Sequence, residues 1–293
     1  GTVLRAVLCL DMALEKIGNT AAAWLRRLLY SGAVALVDAL VPRAGYRVRK
    51  DIAYGTGERQ KLDIYTPEGL AAPAPMLLFF HGGSWQFGDK NQYRALGQAF
   101  ASRGIVTAVA NYRLFPPHGF PRFVEDGAQA FKYACDRARE WGADPGRIFL
   151  CGHSAGAHIV TMLGVNGAYL RAAGADPLAP RGIIGIAGPY DFLPLKDSVL
   201  IELFGGDNVR ETQPVNFIDG KCAPMLLAHG GGDKTVFPGN SKRLAKKLWA
   251  AGSEAEVKFY PGAGHIGILL SLAPGFRGNT TLRDDITAFI AAH

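Results

Sequence analysis

Gly152-His153-Ser154-Ala155-Gly156 is where this sequence most plainly spells out chemistry. The pentapeptide follows the apolar run Ile148–Cys151 and precedes a helical pattern. That context predicts a serine on a sharp strand-to-helix turn, its hydroxyl raised above the C-terminal edge of a sheet. The two flanking glycines let strand and helix backbones approach the strained serine. A serine hydroxyl is a weak nucleophile until a base takes its proton. Three histidines lie downstream and short of the chain end: His158, His229 and His265. His158 sits four residues on in the same helix, so it cannot face Ser154 across a site. His229 ends an apolar run beside glycines and reads as a loop-shaping residue. His265, in Pro261-Gly262-Ala263-Gly264-His265, follows the last strand run on a loop able to bring an imidazole over the sheet edge; it is the expected base.

The acid must orient that imidazole and stabilise its charged form. Asp191, Asp207, Asp219 and Asp233 are the candidates. Asp233 follows the run Met225–Ala228, one strand before the His265 loop, and is the expected acid. Asp191 reads as a loop or pocket residue. Acyl transfer also needs preset N–H donors for its oxyanion. His81-Gly82-Gly83-Ser84-Trp85 follows the apolar run Met76–Phe80, so the amides of Gly83, Ser84 and Ala155 are expected to form that hole.

These turns need a sheet to hold them. Arg47–Tyr54 and Lys61–Tyr65 read as an antiparallel edge hairpin. Met76–Phe80, Ile105–Ala110, Ile148–Cys151, Ile183–Ala187, Met225–Ala228 and Glu256–Tyr260 lack alternation, as parallel strands covered on both faces do. Helical patterns separate them at Gln92–Arg103, Val124–Trp141, Ala155–Leu163, Asn240–Ala251 and Leu282–Ala291. The predicted fold is α/β, a mostly parallel eight-stranded sheet with helices on both faces. Residues 164–181 and 189–222 are irregular and long for loops, so they read as functional insertions. Residues 3–41 read as two amphipathic helices ended by Pro42. The expected organisation is an N-terminal helical segment over 1–46, able to act as a cap, and a catalytic domain over 47–293.

Composition narrows the classes. Of 293 residues, 48% are hydrophobic and 19% charged, which excludes a disordered chain. Thirty-seven glycines without a three-residue period imply tight turns rather than collagen. The net charge of +7 is scattered. Its densest group, Lys242, Arg243, Lys246 and Lys247, falls at helical spacing and reads as a solvated face. With no nucleic-acid motif beside it, no nucleic-acid partner is expected. Cys9, Cys135, Cys151 and Cys222 form no C-x-x-C pair and fit a reducing compartment. A soluble, cytoplasmic protein is therefore favoured over a periplasmic or secreted one. No apolar run reaches membrane-span length. There is no H-E-x-x-H, phosphate-binding glycine loop or dinucleotide fingerprint, so neither metal nor cofactor is expected.

Taken together, His81-Gly82-Gly83-Ser84-Trp85, Asn111-Tyr112-Arg113-Leu114, Phe120-Pro121 with Glu125-Asp126, and Gly152-His153-Ser154-Ala155-Gly156-Ala157-His158 resemble the H-G-G esterases of the α/β-hydrolase superfamily. That branch includes hormone-sensitive-lipase-like carboxylesterases, feruloyl-esterase-like enzymes and kynurenine formamidases. The resemblance covers roughly residues 47–292. The chain departs from the lipase-like members at Ser84, where they carry a third glycine, and at Phe115-Pro116-Pro117, where they carry Ala-Pro-Glu. Ser84-Trp85 is closer to the formamidase and feruloyl-esterase side. The resemblance implies hydrolysis of a small-molecule carboxylic ester, with short to medium acyl or aryl groups, by Ser154, His265 and Asp233 in a monomer or homodimer. N-formylkynurenine hydrolysis is the alternative, and a non-catalytic binding protein on the same fold the remote one. Trp85, His118 and Phe192 are the candidate substrate-binding residues, and Asp126, at the opening of a helix, is expected to cap it or to bond the Tyr112-Arg113 segment.

Overall fold

The strands at the centre of the sheet are apolar at nearly every residue, whereas those at its edges are not. In β1 (Tyr46–Ala53) most side chains are exposed, while β3 (Ala74–Phe80) and β4 (Val106–Ala110) are almost wholly buried. The computed structural model of the chain describes Val37 and residues 40–293. Its sheet has eight strands in the order β1-β2-β4-β3-β5-β6-β7-β8. The others are β2 (Lys61–Pro67), β5 (Ala143–His153), β6 (Gly182–Ile186), β7 (Met225–Gly230) and β8 (Ala255–Tyr260). β1 and β2 pair antiparallel, as do β2 and β4; every pairing from β4 across to β8 is parallel.

Alternate residues of β3 feed two cores, as the two-residue strand period requires. Met76, Leu78 and Phe80 join one with Phe123 and Phe131 of α2 (Arg122–Arg137), Ile159 and Leu163 of α3 (Ala155–Val165) and Leu244 of α6 (Gly239–Ala250). Leu77 and Phe79 join the other with Leu96 and Phe100 of α1 (Arg94–Ala101) and Ile286 and Phe289 of α8 (Leu282–Ala292). Helices thus cover both faces. Short helices α4 (Ala168–Ala172) and α5 (Ser198–Phe204) lie in the two irregular stretches, and α7 (Gly267–Leu270) follows the His265 loop.

Two local differences from the sequence reading have clear causes. β5 begins at Ala143, five residues before its apolar run. Asp144-Pro145-Gly146 makes a turn in which the Asp144 carboxylate accepts from the Gly146 amide at 2.9 Å. Ala143 then pairs with Ala74, across a register shift from the main ladder. The α6 basic cluster is also less free than its spacing suggested. Arg243 donates to Asp191, and the Lys247 ammonium donates to the Val215 carbonyl at 3.0 Å, tying α6 to the insertion between β6 and β7. The two helices read over residues 3–41 lie outside the described residues apart from Val37, Leu40 and Val41. Val37 is buried beside Ala273 and Phe276. Among the described residues no helix is long and apolar enough to cross a membrane.

Candidate active site

Three loops converge at the C-terminal edge of the sheet, after β5, β7 and β8. Ser154 has φ 54° and ψ −118°, a left-handed conformation costly for a side-chain-bearing residue. The turn is forced by close packing: a Cβ on Gly156 would stand 2.0 Å from the Phe80 carbonyl oxygen. Helix α3 starts immediately afterwards and is buried almost all round, so the elbow rests on a rigid base.

The Ser154 hydroxyl donates to His265 Nε2 at 2.9 Å, and His265 Nδ1–H donates to Asp233 Oδ2 at 2.8 Å. A carboxylate can only accept, so this partner assigns the Nδ1–H tautomer. The three residues come from turns 32 to 111 positions apart in the chain. Ser154 is 9% exposed, His265 6% and Asp233 3%, which leaves the hydroxyl just reachable and the Asp233 carboxylate out of water. Asp233 Oδ1 accepts from the Thr235 and Val236 amides, both at 2.9 Å. Burial pushes the Asp233 carboxyl up, but N–H groups of His229, His265 and Val236 outweigh it and hold the group well below the usual carboxylate range.

His153 faces the opposite side of His265. Its Nε2–H donates to the His265 carbonyl at 2.9 Å, and the two ring centroids lie 4.8 Å apart. Burial first, and the neighbouring His265 second, push the His153 imidazole down to about 3. It is therefore an uncharged strut across the working pH range.

The turn after β3 abuts the elbow. A Cβ on Gly82 would stand 2.8 Å from His153 Nδ1 and 3.1 Å from Ser154 Cβ. Gly83 has φ +124°, and a Cβ there would meet the Phe87 carbonyl oxygen at 2.1 Å. Ser84 and Trp85 also adopt positive φ. The amides of Gly83, Ser84 and Ala155 donate to no other group among the described residues. The Asn111-Tyr112-Arg113 motif buttresses this turn. Tyr112 stacks on His81 at 4.4 Å, and its hydroxyl donates to the His81 carbonyl at 2.9 Å. The Arg113 amide and guanidinium both donate to Asp126, which lies within the first turns of α2 rather than capping it. Asn111 Oδ1 accepts from the Lys90 amide at 2.6 Å.

Trp85 turns away from Ser84 into a buried aromatic cluster. Its ring contacts Phe204 at 4.9 Å, His158 at 5.2 Å, Phe123 at 5.8 Å and Phe192 at 6.2 Å. Phe192 and Phe204 reach it from the β6–β7 insertion. Thr212 of the same insertion accepts from His158 Nε2–H through its carbonyl at 2.7 Å. His118 makes no side-chain hydrogen bond or ring contact with this cluster among the described residues. It lies partly exposed in the loop whose Phe120 amide donates to the Leu203 carbonyl. Of the other acid candidates, Asp191 accepts from Arg243, and the Asp207 carbonyl accepts from the Leu195 amide.

Sequence reasoning gave His229 only a loop-shaping part, His153 none, and Tyr112 only a place in the Asn111-Tyr112-Arg113-Leu114 motif. All three bear directly on the site. For His229 and His153 the signal in the sequence was proximity: His153 adjoins Ser154 and His229 stands four residues before Asp233. No group of three or more His, Cys, Asp or Glu among the described residues is placed to hold a metal ion.

A mostly parallel eight-stranded sheet, covered on both faces and carrying a strained serine between β5 and its helix, defines an α/β hydrolase. Comparison with known proteins narrows this. Residues 62–248 match the BD-FAE family profile, and the chain belongs to that family. It is 30% identical to a probable isoprenylcysteine alpha-carbonyl methylesterase of Arabidopsis thaliana, over 84% of this chain and 58% of the relative. A kynurenine formamidase of Danio rerio is 26% identical over 76% of each chain. The chain spans 58% and 62% of two Arabidopsis relatives that it matches. Among solved structures, esterase 2 of Thermogutta terrifontis superposes with a TM-score of 0.67 at 26% identity, covering 85% of this chain and 93% of that one. Esterase B of Lactobacillus rhamnosis shares the fold with a TM-score of 0.80 at 18% identity, covering 96% and 95%.

Proposed function

We propose that the protein is a serine carboxylesterase in which Ser154 is the nucleophile, His265 the base and Asp233 the acid that orients it. The observation that carries this reading is the unbroken hydrogen-bonded chain Ser154–His265–Asp233 set on a strained turn. In acylation, Ser154 Oγ bonds to the ester carbonyl carbon as its proton passes to His265 Nε2. The carbonyl oxygen becomes an oxyanion held by the Gly83, Ser84 and Ala155 amides. The tetrahedral intermediate then collapses. The carbon–alkoxy bond breaks and the alcohol leaves with the proton from His265. Water attacks the acyl-enzyme, gives its proton to His265 and releases the acid, and the proton returns to Ser154. Asp233 stays ionised throughout, which its donors favour.

The substrate class is a small ester with a short to medium acyl or an aryl group, in a site beside Trp85 and Phe192. The esterase names among its relatives support ester over amide. The second reading, formamide hydrolysis, is supported by the formamidase relatives and the Ser84-Trp85 departure. The test is kcat/KM on para-nitrophenyl esters from acetate to decanoate, an isoprenylcysteine methyl ester and N-formylkynurenine, with Ser154→Ala as blank. A peak on an ester and a loss of about 1,000-fold or more in the blank are expected. A winning N-formylkynurenine would replace the ester assignment. A blank keeping a tenth of the rate would remove Ser154 from the mechanism.

A further inference from the structure

His229 is a fully buried histidine that the mechanism above does not use. It sits on β7, four residues before Asp233, with its ring against the acid's turn. Nε2 lies 2.8 Å from the Val236 carbonyl oxygen and 3.3 Å from Asp233 Oδ2. Both oxygens only accept, so Nε2 carries a proton and shares it between them. Nδ1 is then left to accept from the Ser241 hydroxyl, 2.8 Å away on α6. Ser241 is itself fully buried. The Val236 unit is gripped from both sides, its carbonyl by His229 and its amide by Asp233 Oδ1. Asp233 Oδ2 therefore takes two imidazole N–H groups, one from the base and one from behind.

We propose that His229, its tautomer fixed by Ser241, is the positioning residue that aims Asp233 at His265 and tempers the carboxylate's hold on the imidazolium. This rests on the reading of Ser154, His265 and Asp233 as the reacting set. The hydrogen bonds run in series from Ser241 through His229, Asp233 and His265 to Ser154. The titratable groups facing Asp233 are His229 from β7 and His265 from the loop after β8. His153, at the end of β5, faces His265 from the far side, and α6 contributes Ser241, which does not titrate in this range. Removing the His229 N–H takes a positive pole from Oδ2. The carboxylate then attracts the His265 proton more strongly, so the acid limb of the rate profile moves to higher pH. Asp233 also loses one of its restraints, and a misaimed base lowers kcat rather than substrate binding.

The experiment measures kcat, KM and the pH dependence of kcat/KM on para-nitrophenyl butyrate. It compares the wild-type chain with His229→Leu, His229→Gln, Ser241→Ala and Ser154→Ala, with thermal midpoints recorded alongside. His229→Leu is expected to lose about 10- to 100-fold in kcat with KM within twofold, its acid limb moving up by about half a pH unit. His229→Gln retains an N–H and should recover part of both. Ser241→Ala should lose less, about threefold. Should His229→Leu fail to fold, the Gln and Ala variants carry the same comparison. Folded variants with wild-type kcat and an unmoved acid limb would overturn the proposal, as would a lowered thermal midpoint with no change in rate. Failure of the underlying reading looks different: the wild-type rate would survive Ser154→Ala.

Discussion

The two halves of the site are held in different ways. On the β3 and β5 side, backbone geometry does the positioning: Gly156 and Gly83 occupy places where any Cβ would strike a carbonyl, and Ser84, Trp85 and Ser154 sit at positive φ. On the β7 and β8 side, side-chain hydrogen bonds do it. His265 is fixed by Asp233 and by its carbonyl to His153, and Asp233 by two amides and His229. A backbone device admits almost no substitution, whereas a hydrogen-bonded one degrades by steps. The first half should therefore fail in folding and the second in rate.

The largest expected effect sharpens that contrast. Gly156→Ala puts a methyl group against the Phe80 carbonyl where neither strand nor helix can yield. It should cost about 4 kcal/mol or more in a urea titration, with soluble yield lost. A stable, active variant would show that the elbow is not set by close approach. Asp233→Asn comes next. It should fold, because Asn keeps an acceptor for the Thr235 and Val236 amides, yet lose about 100- to 10,000-fold in kcat through a wrong His265 tautomer. It should still cost less than Ser154→Ala. Were Asp191→Asn the damaging change instead, the acid would be misassigned.

The β3 and β5 half can also be probed with pH. Burial pushes His81 and His158 down to about 4 and His153 to about 3, against an ordinary value near 6.5. The unfolded chain therefore binds protons that the folded one refuses between about pH 6.5 and 4. The stability these neutral rings represent is complete above pH 6.5 and drains as pH falls toward 4. The thermal midpoint should drop by roughly 5–10 °C from pH 7 to 5, and His158→Gln should flatten the slope. A flat profile would mean that these rings are not buried neutral. The smallest effect is expected at the site's rim. His118→Ala should leave stability within about 0.5 kcal/mol and change kcat/KM by less than about threefold, since nothing among the described residues ties its side chain to the cluster. A loss beyond tenfold would place it in substrate binding.

The same contrast explains what was legible in the sequence. Where backbone geometry rules, only glycine fits, so His81-Gly82-Gly83 and Gly152-His153-Ser154-Ala155-Gly156 stand out as motifs within a few residues. The centre of the sheet was legible for a similar reason: wholly buried strands must be apolar throughout. β8 differs from its reading as a strand covered on both faces: it closes the sheet's edge and is only partly buried, which its Glu256 and Lys258 reflect. The strand runs still fell within a residue or two of the observed elements except where Asp144-Pro145-Gly146 turned inside β5. Where hydrogen bonds rule, the residues are ordinary types, several of them brought together across as many as 112 positions. Asp233 and His265 were reached only through their places after the last two strand runs. Ser241 behind His229, and His153 behind His265, left no local spacing to read. The aromatic cluster was hidden too, because Trp85, Phe123, His158, Phe192 and Phe204 meet only once the β6–β7 insertion folds over α3.

The most direct test is the reaction of the protein with a fluorophosphonate, followed by intact-mass and peptide mass spectrometry. One equivalent of label should appear per chain, on Ser154 Oγ, with the rate collapsing at least 100-fold in His265→Ala because no base then takes the hydroxyl proton. Label on another residue, or labelling of the His265 variant at the wild-type rate, would contradict the Ser154–His265–Asp233 assignment.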